Sequence, residues 1–126
     1  MVLSACSRTP SERFDCRTVE ASVSSMKVML GELGTILDTA EAPADALNNV
    51  QKYIQGYKSA IDLCSANISE NLQTMTEDEV MAFLESSIKD ERVRLFLDAQ
   101  DRFQKQASAA QLEALEDIAS PVYIFF

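Results

Sequence analysis

TVEASVSSMKVMLGELGTIL (residues 18–37) and PADALNNVQKYIQGYKSAIDLCSANIS (residues 43–69) decide the fold. In the first stretch Val19, Val23, Met26, Leu30, Leu33 and Leu37 recur in alternating steps of four and three. In the second, Leu47, Val50, Ile54, Tyr57, Ile61, Cys64 and Ile68 keep the same alternation. Such steps lay one apolar seam along one face of a helix, as at the a and d positions of a heptad. A lone helix cannot hide its seam, so each needs a neighbour. Asp38-Thr39-Ala40-Glu41-Ala42 links the two, and short links favour antiparallel packing. The fold back sets Leu37 near Leu47, Leu30 near Ile54, Val23 near Ile61 and Val19 near Cys64.

The first helix is expected to begin between Ser11 and Thr18, with Ser11 or Asp15 as its cap. Gly31 and Gly34 fall in its last turns, where each costs about 1 kcal/mol relative to alanine. They either admit a close partner or loosen the end before the turn, and loosening is the expectation. Pro43 suits a first helical position, where its missing N–H wastes no bond. The second helix is expected to run unbroken to Ser69, roughly seven turns, with no role for Gly56. Tyr53 and Ala60 widen its seam, so more than one helix packs on it.

Shorter helices follow. Thr76-Glu77-Asp78-Glu79 has the form of a capping box, and its acidic first turn suits the helix dipole. Val80, Met81, Phe83, Leu84 and Ile88 carry that helix to about Lys89. Asp90 caps the next, in which Val93, Phe96, Leu97 and Phe103 face inward. Ser108-Ala109-Ala110-Gln111 is a second capping box, opening a helix with Leu112, Leu115 and Ile118 that ends at Ser120-Pro121. The apolar tail Val122-Tyr123-Ile124-Phe125-Phe126 is expected to tuck into a groove of the bundle; exposed, it would aggregate or dock. The reading is an all-α bundle. A long antiparallel hairpin is packed by two or three shorter C-terminal helices.

Composition narrows the function. The chain has 126 residues, 47% hydrophobic and 25% charged, which suits one globular domain and is too apolar for disorder. Eleven basic and twenty acidic residues leave a net charge of −9. Such a surface repels phosphate backbones and anionic lipid, so nucleic acid is not an expected partner. No apolar run reaches the roughly 20 residues of a membrane-spanning helix. Histidine is absent, which removes the commonest general base and metal ligand. The three cysteines form no Cys-x-x-Cys, so no zinc or thioredoxin-like motif arises. Glu77, Asp78 and Glu79 lack the alternation and glycine of a calcium loop and read as a solvated first turn. Asn67-Ile68-Ser69 matches a glycosylation sequon by spacing only, on a helix. No catalytic, metal-binding or cofactor-binding residues are assigned.

Residues 1–13 read as a tether rich in Ser, Thr and Pro, and residues 14–126 as one helical domain. Within the tether, Leu3-Ser4-Ala5-Cys6 resembles the lipobox of bacterial lipoproteins, in which a Leu, two small residues and a Cys end the signal peptide. The resemblance covers these four residues and implies that Cys6 becomes the first mature residue and carries the lipid. Only Met1 and Val2 stand before the box, so this reading takes the chain to begin partway through its signal peptide. Ser7 after the Cys implies sorting to the outer membrane in enteric-type bacteria. The other reading is a frayed N-terminus with a chance Cys.

Cys16 and Cys64 are the expected disulfide. The hairpin register sets Val19 beside Cys64, and Cys16 lies one turn earlier on the same seam. A bond there closes a loop of about fifty residues and stabilises by ~4 kcal/mol in the chain-entropy model. It also fits the lipoprotein reading, since Cys6 takes lipid and the remaining pair oxidises in the periplasm. The alternative is two buried free thiols. The expected function is a non-enzymatic, lipid-anchored envelope protein acting on an unidentified protein partner, touching the membrane through its anchor only. A soluble cytoplasmic adaptor is the alternative. A small apolar-ligand carrier, with a cavity lined by Met26, Met29, Phe83 and Phe96, is a third.

Overall fold

Thr18 opens the first helix, its hydroxyl accepting a hydrogen bond from the Ala21 N–H at 3.0 Å. In the computed structural model, which describes residues 13–125, α1 then runs Val19–Thr39. The expected caps do not serve. Ser11 lies outside the described residues, and Asp15 instead accepts from the N–H and guanidinium of Arg17 at 2.9 and 3.0 Å. All six α-helices among the described residues pack as a bundle without strands.

α2 spans Pro43–Gly56 and α3 spans Lys58–Gln73. The expected single long helix is therefore broken, at Tyr57, whose φ of −109° and ψ of 17° leave the helical well. Gly56 supplies the weak propensity, and Tyr57 is held outside the helix by its ring, 5.1 Å from Phe14 and 4.6 Å from Tyr53. The break lets α2 pack on both α1 and the last helix, while α3 follows α1 and meets the tail. The hairpin stays antiparallel, with Tyr53 reaching Glu32 at 2.5 Å. Past the break its register shifts from the expected one. Asn67, not a residue next to Ile61, reaches Ser22, at 3.3 Å, and Val19 shares a lining with Asn71 and not with Cys64.

α4 (Glu77–Ile88) opens on the Thr76–Glu79 capping box and α5 (Glu91–Gln106) on Asp90, which accepts from the Arg92 N–H at 2.9 Å. α6 (Ala109–Ala119) opens on the Ser108–Gln111 box and passes into a 3₁₀ turn, Ser120–Val122. Local capping rules placed all three starts. On α5, Ala99 is buried with Val93, Phe96 and Phe103, whereas Leu97 is only half-buried.

The core is centred on α1. Met26, Met29, Leu30 and Leu33 are fully buried, and α1 packs against α2, α3 and, most extensively, α5. Gly31 and Gly34 explain that last contact and correct the expectation of a loosened helix end. A Cβ on Gly34 would stand 3.0 Å from the Phe96 backbone, and one on Gly31 would stand 3.3 Å from the Arg92 Cβ. The two glycines let α5 approach α1 backbone to side chain. Their helix-propensity cost is offset by this packing.

Candidate functional site

Two features stand out against the plain bundle. The first is the strap of residues 13–17 ahead of α1, which lies back across the hairpin. Cys16 and Cys64 are buried and lie at disulfide distance, their Cα atoms 4.8 Å apart. Ser25 donates to the Asp15 carbonyl at 2.8 Å, and the Asn67 amide donates to the Cys16 carbonyl. The sequon asparagine thus has its side chain engaged in the strap.

Farther upstream, Arg13 forms a two-pronged ion pair with Glu32, donates to the Tyr57 hydroxyl at 3.1 Å and stacks 4.8 Å from the Phe14 ring. Burial raises the Glu32 carboxyl, but hydrogen bonds from Arg13 and Tyr53 outweigh it and hold it below the ordinary range. Burial and the Glu32 hydrogen bond push the Tyr53 phenol up, so it stays a donor. Arg13, at the end of the tether by composition, is bound to the domain.

The second feature is a surface groove of about 450 Å³ on the N-terminal half of α1. Val19, Val23, Met75 and Phe83 supply its apolar lining, and Lys27 and Arg92, with Glu20, Ser24 and Asn71, its polar lining. The expected seam does not fully cover this stretch, since Val19 and Val23 are only half-buried. Asp90 lies between the two cations, 3.7 Å from the Lys27 ammonium and 3.1 Å from the Arg92 guanidinium. The Arg92 hydrogen bond, helped by the nearby Lys27 charge, brings the Asp90 carboxyl down to about 2. Lys27 also lies 5.9 Å above the Phe125 ring.

The structure brings Cys16 to disulfide distance of Cys64, but through the strap and not along the seam: Cys16 precedes α1, and the Asp15 carbonyl is turned back to Ser25. Cys6 lies outside the described residues. The four residues of the expected carrier cavity are not brought together as one lining. Met26, Met29 and Phe96 are core, and Phe83 alone reaches the groove. Glu79 of the acidic cluster is spent on the capping box. Among the described residues no group of three or more His, Cys, Asp or Glu is placed to hold a metal ion, and no helix is long and apolar enough to cross a membrane.

No family model, curated protein or solved structure matches the chain.

Neither the strap latch nor the groove was read from the sequence. Arg13 and Asp15 sit in no periodic pattern, and their partners are 19 and 10 residues away. A single signal pointed to the groove. Val19 and Val23 extend the apolar seam of α1, but the face that α1 buries there runs through Ser22, Ser25, Met26 and Met29 and leaves the two valines half-covered.

Proposed function

We propose that the chain is a lipid-anchored, non-enzymatic protein of the bacterial cell envelope, with Cys6 carrying the lipid, that acts through contact with other proteins. The supporting observation is how the cysteines divide. Cys16 and Cys64 lie at disulfide distance in a buried site, which suits an oxidising compartment. Cys6 of Leu3-Ser4-Ala5-Cys6 is left over, in the position that the lipobox resemblance assigns to the acylated residue. Six residues separate it from Arg13, where the chain meets the domain. An outer-membrane position facing the periplasm follows from Ser7.

Intact mass of the gene product, expressed with its upstream codons, tests this reading. The expected result is a diacyl- or triacyl-sized increment on Cys6, abolished in Cys6→Ser, together with two hydrogens gained on reduction. An unmodified chain with three free thiols would move the protein to the cytoplasm as a soluble adaptor.

A further inference from the structure

The groove on α1 combines an apolar bed with a charged end whose sign differs from that of the chain as a whole. Lys27 and Arg92 share the single carboxylate of Asp90, so the cluster keeps a surplus of one positive charge on a chain of net charge −9. Asp90 stays ionised well into acid, because the Arg92 hydrogen bond lowers it. The surplus therefore holds across the physiological range. Arg92 is the accessible cation, its side chain 41% exposed against 17% for Lys27.

The acidic residue on the groove rim, Glu20, is exposed and stands two turns from Lys27, about 10 Å along the helix. Val23 separates Glu20 from the positive end, and a chain that reaches Val19 passes beside the exposed Glu20 carboxylate. We propose that this groove binds one long-chain carboxylate as a free monomer, its head at Arg92 and Lys27 and its chain along Val23, Val19, Met75 and Phe83.

Charge complementarity selects the head. One surplus positive charge matches a monoanion, and the Arg92 guanidinium, whose Nε and one amino group already hold Asp90, has further N–H donors to offer a second carboxylate. The apolar bed excludes a small hydrophilic anion as the fitting ligand. Length selects the chain. Lys27 to Val19 is about 12 Å of helical rise, the span of roughly ten extended carbons, so a twelve-carbon chain fills it and its end passes Val19. The volume is in the range of small-molecule sites. The inference goes beyond the envelope reading and does not rest on it, because the purified chain alone carries the groove.

Sodium dodecanoate, below its micelle concentration, is the probe, titrated calorimetrically into the oxidised full chain. One saturable site per chain is expected, weakened about tenfold or more in Arg92→Gln. The Asp90 cap is made to the Arg92 backbone N–H, so this substitution leaves the helix start intact. Arg94→Gln removes the same charge from a 57% exposed side chain outside the groove and is expected to bind as the parent does. Val23→Asp is expected to abolish binding, and dodecyltrimethylammonium is expected to give no comparable site.

Absence of saturable binding overturns the proposal, as does an equal loss in Arg92→Gln and Arg94→Gln. Equal binding of the cationic amphiphile would mark the groove as a plain apolar patch and also overturn it. So would a ligand-free dimer that Val23→Asp dissociates in sedimentation, since a second copy would then be the occupant.

Discussion

Residues 13–17 and residues 122–125 both lie back on the bundle, but they are held by different forces. The C-terminal segment is held by burial. Val122 and Phe125 are fully buried, Phe125 stands 5.9 Å from Phe83 and Tyr123 stands 6.0 Å from Phe96. Gln100 donates to the Tyr123 hydroxyl at 2.9 Å, a phenol that burial pushes up to about 12. The N-terminal strap buries Cys16 but leaves Arg13, Asp15 and Arg17 exposed, and it is held by sulfur, carbonyl and ion-pair contacts. Removing apolar area from water stabilises in proportion to the area, about 25 cal/mol per Å². Exposed ion pairs add little. The tail therefore stabilises through burial, and the strap through its sulfur contact, while its exposed ion pairs mainly set where the chain enters the domain.

The largest effect expected from this difference is at Phe125. Phe125→Ala should cost about 3–5 kcal/mol, read as a lower urea midpoint, and should loosen α4 through the lost Phe83 contact. A cost under about 1 kcal/mol would mean that the tail is merely laid on the surface. Replacing Cys16 and Cys64 together by alanine should cost about 2–4 kcal/mol relative to the oxidised protein. The same loss should appear in the parent on reduction under denaturing conditions, and an unchanged midpoint would exclude the bond.

Arg13→Ala should be the mildest, under about 1 kcal/mol, because the pair with Glu32 is 48% and 30% exposed. Its signature is electrostatic. Glu32 loses the guanidinium that lowers it, and its carboxyl should titrate at a higher pH by carbon-detected NMR. The sign of the linkage follows. A carboxyl lowered by folding stabilises the native state above its unfolded range, near pH 4, and that contribution is lost on acidification. Arg13→Ala should therefore flatten the acid limb of the stability profile.

How much of this was legible depends on the range over which each cause acts. The caps at Thr76, Asp90 and Ser108 were readable because a cap and its partners lie within three residues. The Cys16–Cys64 approach was expected, but by the wrong path: Cys16 was placed one turn up the α1 seam, whereas it lies in a strap ahead of the helix that the distant Ser25–Asp15 bond turns back. Gly34 was misread because its reason lies on α5, whose backbone near Phe96 passes at 3.0 Å from where a Cβ would stand. No property of residues 31–34 alone distinguishes a tight crossing from a frayed end. The Tyr57 break combined a weak local signal, Gly56, with distant ring contacts from Phe14. The continuous seam outvoted both. The groove escaped notice because apolar periodicity reports that a face needs cover, not whether it receives it.

The strap has a mechanical consequence. Since Arg13 sits at Glu32, two thirds of the way along α1, the chain joins the domain on the flank of that helix and not at its end. A pull from upstream would peel the strap sideways, first lifting Arg13 from Glu32 and then Phe14 from Tyr57, each a low-force event. With the bond closed, peeling stops at Cys16, and the load passes through sulfur into α3. The first turn of α1, which brings Val19 to the groove lining, would then stay slack while the molecule is under tension.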